Sequence, residues 1–124
     1  MAGSLVLVRR APYEVGMESQ GWLKERDIRA MRVRYHIDPQ TDVPHIYHHD
    51  VCEPEVEEVL ERSTEDFPGH AGARIAIGST SAGRLLRVIY VPDSEPNSVF
   101  VITAYDLRGK QLLAYRRRRR RKSA

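Results

Sequence analysis

Apolar and polar positions change their spacing several times along the chain, and each spacing predicts an element. Near the N-terminus Leu5-Val6-Leu7-Val8 forms a short apolar run, followed by a weakly patterned stretch through Pro12 and Gly16. In residues 21–30, Trp22, Leu23 and Ile28 allow about two helical turns, which are marginal without packing partners. Met31 then opens a strict alternation, Arg32-Val33-Arg34-Tyr35-His36-Ile37, that predicts a half-buried strand. The compact domain is therefore expected to begin near Met31, itself able to serve as a translation start, with residues 1–30 as an extension. Asp38-Pro39 and Thr41-Asp42 carry turn chemistry, and Pro44 can open a short helix through His49.

A clearer helix begins at Glu53. Val56, Val59 and Leu60 fall at helical spacing, Pro54 suits a first turn, and acidic residues precede Arg62 in the order the helix dipole favours. That helix is expected to end before Phe67-Pro68-Gly69. Three strands are predicted over residues 73–78, 84–91 and 98–105, the first two joined by a five-residue hairpin link containing Gly83. The last two are apolar on both faces, as in a sheet interior. A final helix over residues 110–115 offers Leu112, Leu113 and Tyr115 to the sheet. The expected fold is α+β: a small antiparallel sheet with helices packed on it over residues 31–115, and a basic tail at 116–124.

Composition narrows the classes. The 124 residues are 41% hydrophobic, 30% charged and 7% aromatic, which is ordinary for one globular domain and excludes collagen-like, disulfide-scaffold and disordered chains. No apolar run approaches the ~20 residues of a transmembrane helix, and no secretory signal pattern opens the chain. Cys52 is the one cysteine, so no internal disulfide can form and a reducing cytoplasm is expected.

Charge is lopsided. The net +3 includes seven consecutive basic residues, Arg116, Arg117, Arg118, Arg119, Arg120, Arg121 and Lys122. Without them 13 Lys+Arg face 17 Asp+Glu, so the body is net −4. A block this dense repels itself and suits a polyanion such as RNA, where arginines displace counterions from phosphates. The plainer reading is a solvated helix end.

Three groups of side chains could carry chemistry. His45, His48 and His49 share one face of an α-helix, and with Cys52 they offer zinc-type ligands. Their spacing matches no standard zinc signature and four such local ligands would crowd, so no metal is expected; one or two of these histidines in a cleft could move protons. Cys52 before the acidic helix reads as a small capping residue, since the neighbouring carboxylates oppose thiolate formation. Arg74 and Arg87 lie inside apolar strands, where a guanidinium must find a carboxylate or line a polar cleft. With those strands paired, the two could share a sheet face and form a phosphate-sized anion site, bordered by Tyr105, or else make separate structural ion pairs. No Gly-rich nucleotide loop, serine elbow or carboxylate pair is present, so no cofactor is expected.

The segments His45-Ile46-Tyr47-His48-His49-Asp50-Val51, Pro54-Glu55-Val56-Glu57-Glu58-Val59-Leu60, Arg74-Ile75-Ala76-Ile77-Gly78, Gly83-Arg84-Leu85-Leu86-Arg87-Val88-Ile89-Tyr90 and Val101-Ile102-Thr103-Ala104-Tyr105 together resemble BrnT-type toxins and a related domain family of the RelE-like superfamily. The ending Tyr115-Arg116-Arg117-Arg118 looks like that family's last helix. The resemblance spans residues 32–119. It implies a RelE-like α+β fold, metal-independent RNA cleavage that arrests translation, and a cognate antitoxin as partner. Arg74 and Arg87 would then clamp the phosphate, His48 or His49 would handle protons, Tyr105 would border the site, and Arg84 with residues 116–122 would grip RNA. The chain departs from the pattern in two places: His48 and Asp50 stand for a lysine and a glycine, and Tyr105 for an arginine. A non-enzymatic RNA-binding or protein-binding module on the same scaffold is the alternative.

Overall fold

The computed structural model describes residues 21–95 and 97–123. Five strands, β1 (Arg32–Tyr35), β2 (Glu65–Pro68), β3 (Arg74–Ser79), β4 (Leu85–Pro92) and β5 (Ser98–Asp106), join two α-helices, α1 (Glu53–Arg62) and α2 (Gly109–Ser123). Among the described residues there are also three 3-10 turns, at Trp22–Glu25, Ile28–Ala30 and His45–His49. The strands form one sheet in the order β1-β5-β4-β3-β2. The α+β class stands, but the sheet is mixed. β2 to β5 run antiparallel to their neighbours, whereas β1 lies parallel to β5 with Arg32 opposite Ser98. Alternation along β1 specifies which face is buried and carries no information on strand direction, so the antiparallel expectation fails there.

Side chains alternate between the two faces of the sheet, and each face has its own apolar cluster. On one face α1 sets Val56, Val59 and Leu60 against Ala76, Leu86, Val88 and Tyr90. Trp22, Leu23 and Ile28 belong to the same cluster, so within the described chain the core begins at Trp22 and the boundary expected at Met31 does not hold. Burial against the sheet stabilises 3-10 turns that would be too short to persist alone. On the other face Leu112 and Tyr115 of α2 cover Ile75, Ile77, Leu85 and Ile89.

Local chemistry explains the joints. Cys52 is the N-cap residue of α1, and Glu55 reaches back to accept its backbone N–H at 3.1 Å. Gly78 permits the close approach of α1 to β3: a Cβ there would lie 3.2 Å from Ser63 Cα and 3.3 Å from the Arg62 carbonyl oxygen. β2 was not expected, because Glu-Asp-Phe-Pro has no apolar alternation, yet it pairs with β3 along the sheet's edge. α2 continues through the arginines to Ser123 and does not release them as an irregular tail after Tyr115. The predicted readings for residues 1–20 lie outside the described residues. No helix among the described residues is long and apolar enough to cross a membrane.

Candidate functional site

Strand register decides the fate of the two buried-strand arginines. Arg74 stands opposite Tyr90, and Arg87 stands opposite Ile77 and Tyr105. Tyr90 belongs to the cluster under α1 and Ile77 to the cluster under α2, so Arg74 and Arg87 project from opposite faces of the sheet. They cannot form one phosphate clamp.

Arg74 is 1% exposed. Its Nε donates to Asp66 Oδ1 at 3.1 Å and its second guanidinium nitrogen to the Asp66 carbonyl at 3.1 Å. Asp66 Oδ1 also accepts the Tyr90 hydroxyl at 2.6 Å, while Oδ2 accepts the Leu23 backbone N–H at 2.7 Å. Burial and the Asp66 charge push the Tyr90 phenol above its ordinary pKa. This group holds the first turn, β2, β3 and β4 together and has no open side for a substrate.

Arg84, expected to grip RNA, is likewise structural. It donates to Glu55 at 2.9 Å, to Asp106 at 2.9 Å, and to the carbonyls of Asp50 and His49. Hydrogen bonds to Asp106 and Glu55 raise its pKa further above the ordinary arginine value. In the basic block, Arg118 forms a bidentate pair with Glu65 at 2.8 and 2.9 Å and Arg119 donates to the Thr64 carbonyl. Arg116, Arg117, Arg120, Arg121 and Lys122 are exposed along the same helix.

Arg87 differs from all of these. Its Nε donates to the Tyr105 hydroxyl at 3.0 Å, and no carboxylate pairs with it among the described residues. Arg87, Thr103, Tyr105 and Phe100 are half-buried and lie outside the cluster that α2 covers. The ring of His49 packs edge-on to Tyr105, with centroids 5.7 Å apart. From there aromatic contacts continue to His45 (5.4 Å), His36 (6.1 Å) and Phe100 (6.4 Å), over which Arg34 is stacked at 5.2 Å. A belt of imidazoles, aromatic rings and guanidinium groups thus runs across β1, β5 and β4.

The turn His45–His49 occupies the side of β5 that the short strand β1 leaves unpaired. It is a 3-10 helix and not an α-helix, with three residues per turn, so positions i and i+3 eclipse. His45 and His48 are therefore aligned, and His49, in ring contact with His45, also reaches Tyr105. The three histidines still cluster, His45 being in ring contact with both His48 (5.2 Å) and His49 (5.4 Å). His45 Nδ1 and His48 Nε2 both address Asp38 Oδ2, at 3.5 and 3.1 Å. The Gln40 backbone N–H, and then the two histidines, hold the Asp38 carboxyl below its usual pKa. Cys52 is turned to Glu55, Sγ to Oε1 at 3.5 Å, and takes no part.

Asp38, His36, Arg34 and Phe100 were not singled out from sequence. Asp38 read as a turn residue and the others as strand residues; the pairing of β1 with β5 brings Arg34, His36 and Phe100 together, and closure of the 38–43 loop brings Asp38 to His45. Comparison with family models, curated proteins and solved structures finds no match.

Proposed function

We propose that the protein binds RNA on the β1-β5-β4 part of this face and cleaves it by internal attack, in the manner of the toxins its sequence resembles. The observation that carries the reading is Arg87, a guanidinium without a carboxylate partner among the described residues, oriented by a tyrosine hydroxyl against which an imidazole is packed. Its two terminal nitrogens match two oxygens of a phosphodiester. In the reaction a ribose 2′-oxygen attacks the adjacent phosphorus and the 5′-oxygen leaves, giving a cyclic phosphate and a 5′-hydroxyl. Arg87 neutralises the charge that grows on the phosphoryl oxygens. His49 accepts the 2′-hydroxyl proton, water protonates the departing 5′-oxygen, and Tyr105 keeps Arg87 and His49 adjacent. His36, Phe100 and Arg34 offer flat surfaces on which unpaired bases stack. The antitoxin implied by the resemblance would cover this same face.

The test is inducible expression in a bacterial host of the wild type, Arg87→Ala and His49→Gln, with growth and total RNA followed after induction. Growth arrest and RNA loss are expected for the wild type alone, with both variants soluble. Intact RNA and normal growth with soluble wild type would exclude the ribonuclease. The second reading, a binding module without catalysis, is favoured by the exposed cations of α2, and RNA retention without cleavage products would support it.

A further inference from the structure

We propose that Asp38, His45 and His48 form a binding site for one divalent transition-metal ion of the zinc class. The inference does not depend on RNA cleavage. Its basis is convergence: one carboxylate oxygen and two imidazole nitrogens lie within 4.8 Å of one another, with two of the separations 3.1 and 3.5 Å. Tetrahedral zinc with ligands at ~2.0–2.1 Å requires ligand atoms ~3.4 Å apart, so the groups are already near the needed spacing.

The backbone preorganises them. Asp38 Oδ1 accepts the Gln40 backbone N–H at 2.9 Å, which leaves Oδ2 to face the imidazoles. Asp38 N–H donates to the Val43 carbonyl and His45 N–H to the His36 carbonyl, each at 2.9 Å, and Ile37 bridges Pro44. The two ends of the loop are thereby clamped beside each other. The eclipsed i and i+3 positions of the 3-10 turn then align His45 with His48. Two imidazoles with one carboxylate select zinc, cobalt or nickel over magnesium or calcium, which favour oxygen-rich sets. Three protein ligands leave one tetrahedral position for water. A bound ion joins the 38–43 loop to the 3-10 turn and so fixes the place where His49 meets Tyr105.

Titration calorimetry of the full chain without an affinity tag, using zinc chloride, tests the site. Saturable 1:1 binding is expected, together with a higher thermal midpoint. His45→Gln and His48→Gln, each confirmed as folded by circular dichroism, should lose more than the ~10–100-fold in affinity that outer-sphere partners contribute. Cys52→Ser should bind as the wild type does. In the wild type, cobalt(II) should give visible bands of a tetrahedral nitrogen–oxygen site without a thiolate charge-transfer band, a readout that needs no variant. Absence of saturable binding, retention in both histidine variants, loss in Cys52→Ser, or a thiolate band would each overturn the proposal.

Discussion

Two arginines in neighbouring strands show how one residue's surroundings set its role. Arg74 lies in a closed polar group with Asp66, Tyr90 and the Leu23 amide, buried on the face under α1. Removing one partner of such a group leaves a buried charge uncompensated, so Arg74→Ala should cost about 3–5 kcal/mol of unfolding free energy, read from chemical denaturation. Arg87→Ala, half-buried and without a carboxylate partner among the described residues, should leave the denaturation midpoint nearly unchanged. The need for a partner was legible in the sequence, because both arginines interrupt apolar strands. Their separation, against the shared face expected from sequence, follows from the hairpin register. Ser79 pairs with Leu85, so an odd number of residues, 80–84, lies between paired positions, and partners across the hairpin share parity. Arg74 and Arg87 differ in parity and must therefore lie on opposite faces.

Among the elements, α1 and strands β3 to β5 were readable because periodicity, capping and turn residues agree there. β2 was not, since an edge strand needs no apolar alternation and takes its hydrogen bonds from β3. The 3-10 geometry of His45–His49 was also hidden: the sequence shows that histidines recur, while the number of residues per turn determines which of them meet. α2 shows the reverse case, a helix kept regular through a basic block by packing of Leu112 and Tyr115 and by the Arg118–Glu65 pair. Because Arg118 is engaged, the exposed cations are the ones available to phosphate. Replacing Arg116, Arg117, Arg120, Arg121 and Lys122 by glutamine should weaken RNA binding. It should also lower the log–log salt slope, by ~0.7 for each single-strand phosphate that is no longer neutralised. An unchanged slope in a filter-binding series would show that α2 does not touch RNA.

Across the whole molecule, carboxylates tie distant segments together. Asp93, held by the Ser98 hydroxyl and paired with Arg34, links the β4–β5 connection to β1. Asp106, paired with Arg84, links the end of β5 to the β3–β4 hairpin and, through Glu55, to α1. The Ser98 hydrogen bond at Asp93 and the Arg84 hydrogen bond at Asp106 are the leading reasons that both carboxyls lie below the usual aspartate pKa. At low pH the unfolded chain therefore binds more protons than the folded one. The stability these groups contribute is complete above about pH 5, shrinks as the pH falls past the usual aspartate value near ~4, and is gone below their native values. Thermal midpoints between pH 6 and 3 should fall accordingly, and less steeply for Asp106→Asn, whose contribution is already absent.

The parallel pairing of β1 with β5 also sets a schedule for synthesis. Arg32 must wait for Ser98, 66 residues later, before its strand has a neighbour. At ~5–20 residues per second the ribosome takes roughly 3–13 s to supply that partner. During this interval the apolar side of β1 and the Trp22–Ile28 segment stay without their sheet. The nascent chain therefore carries these apolar residues uncovered until β5 emerges, and the second face of the sheet stays open until α2 follows.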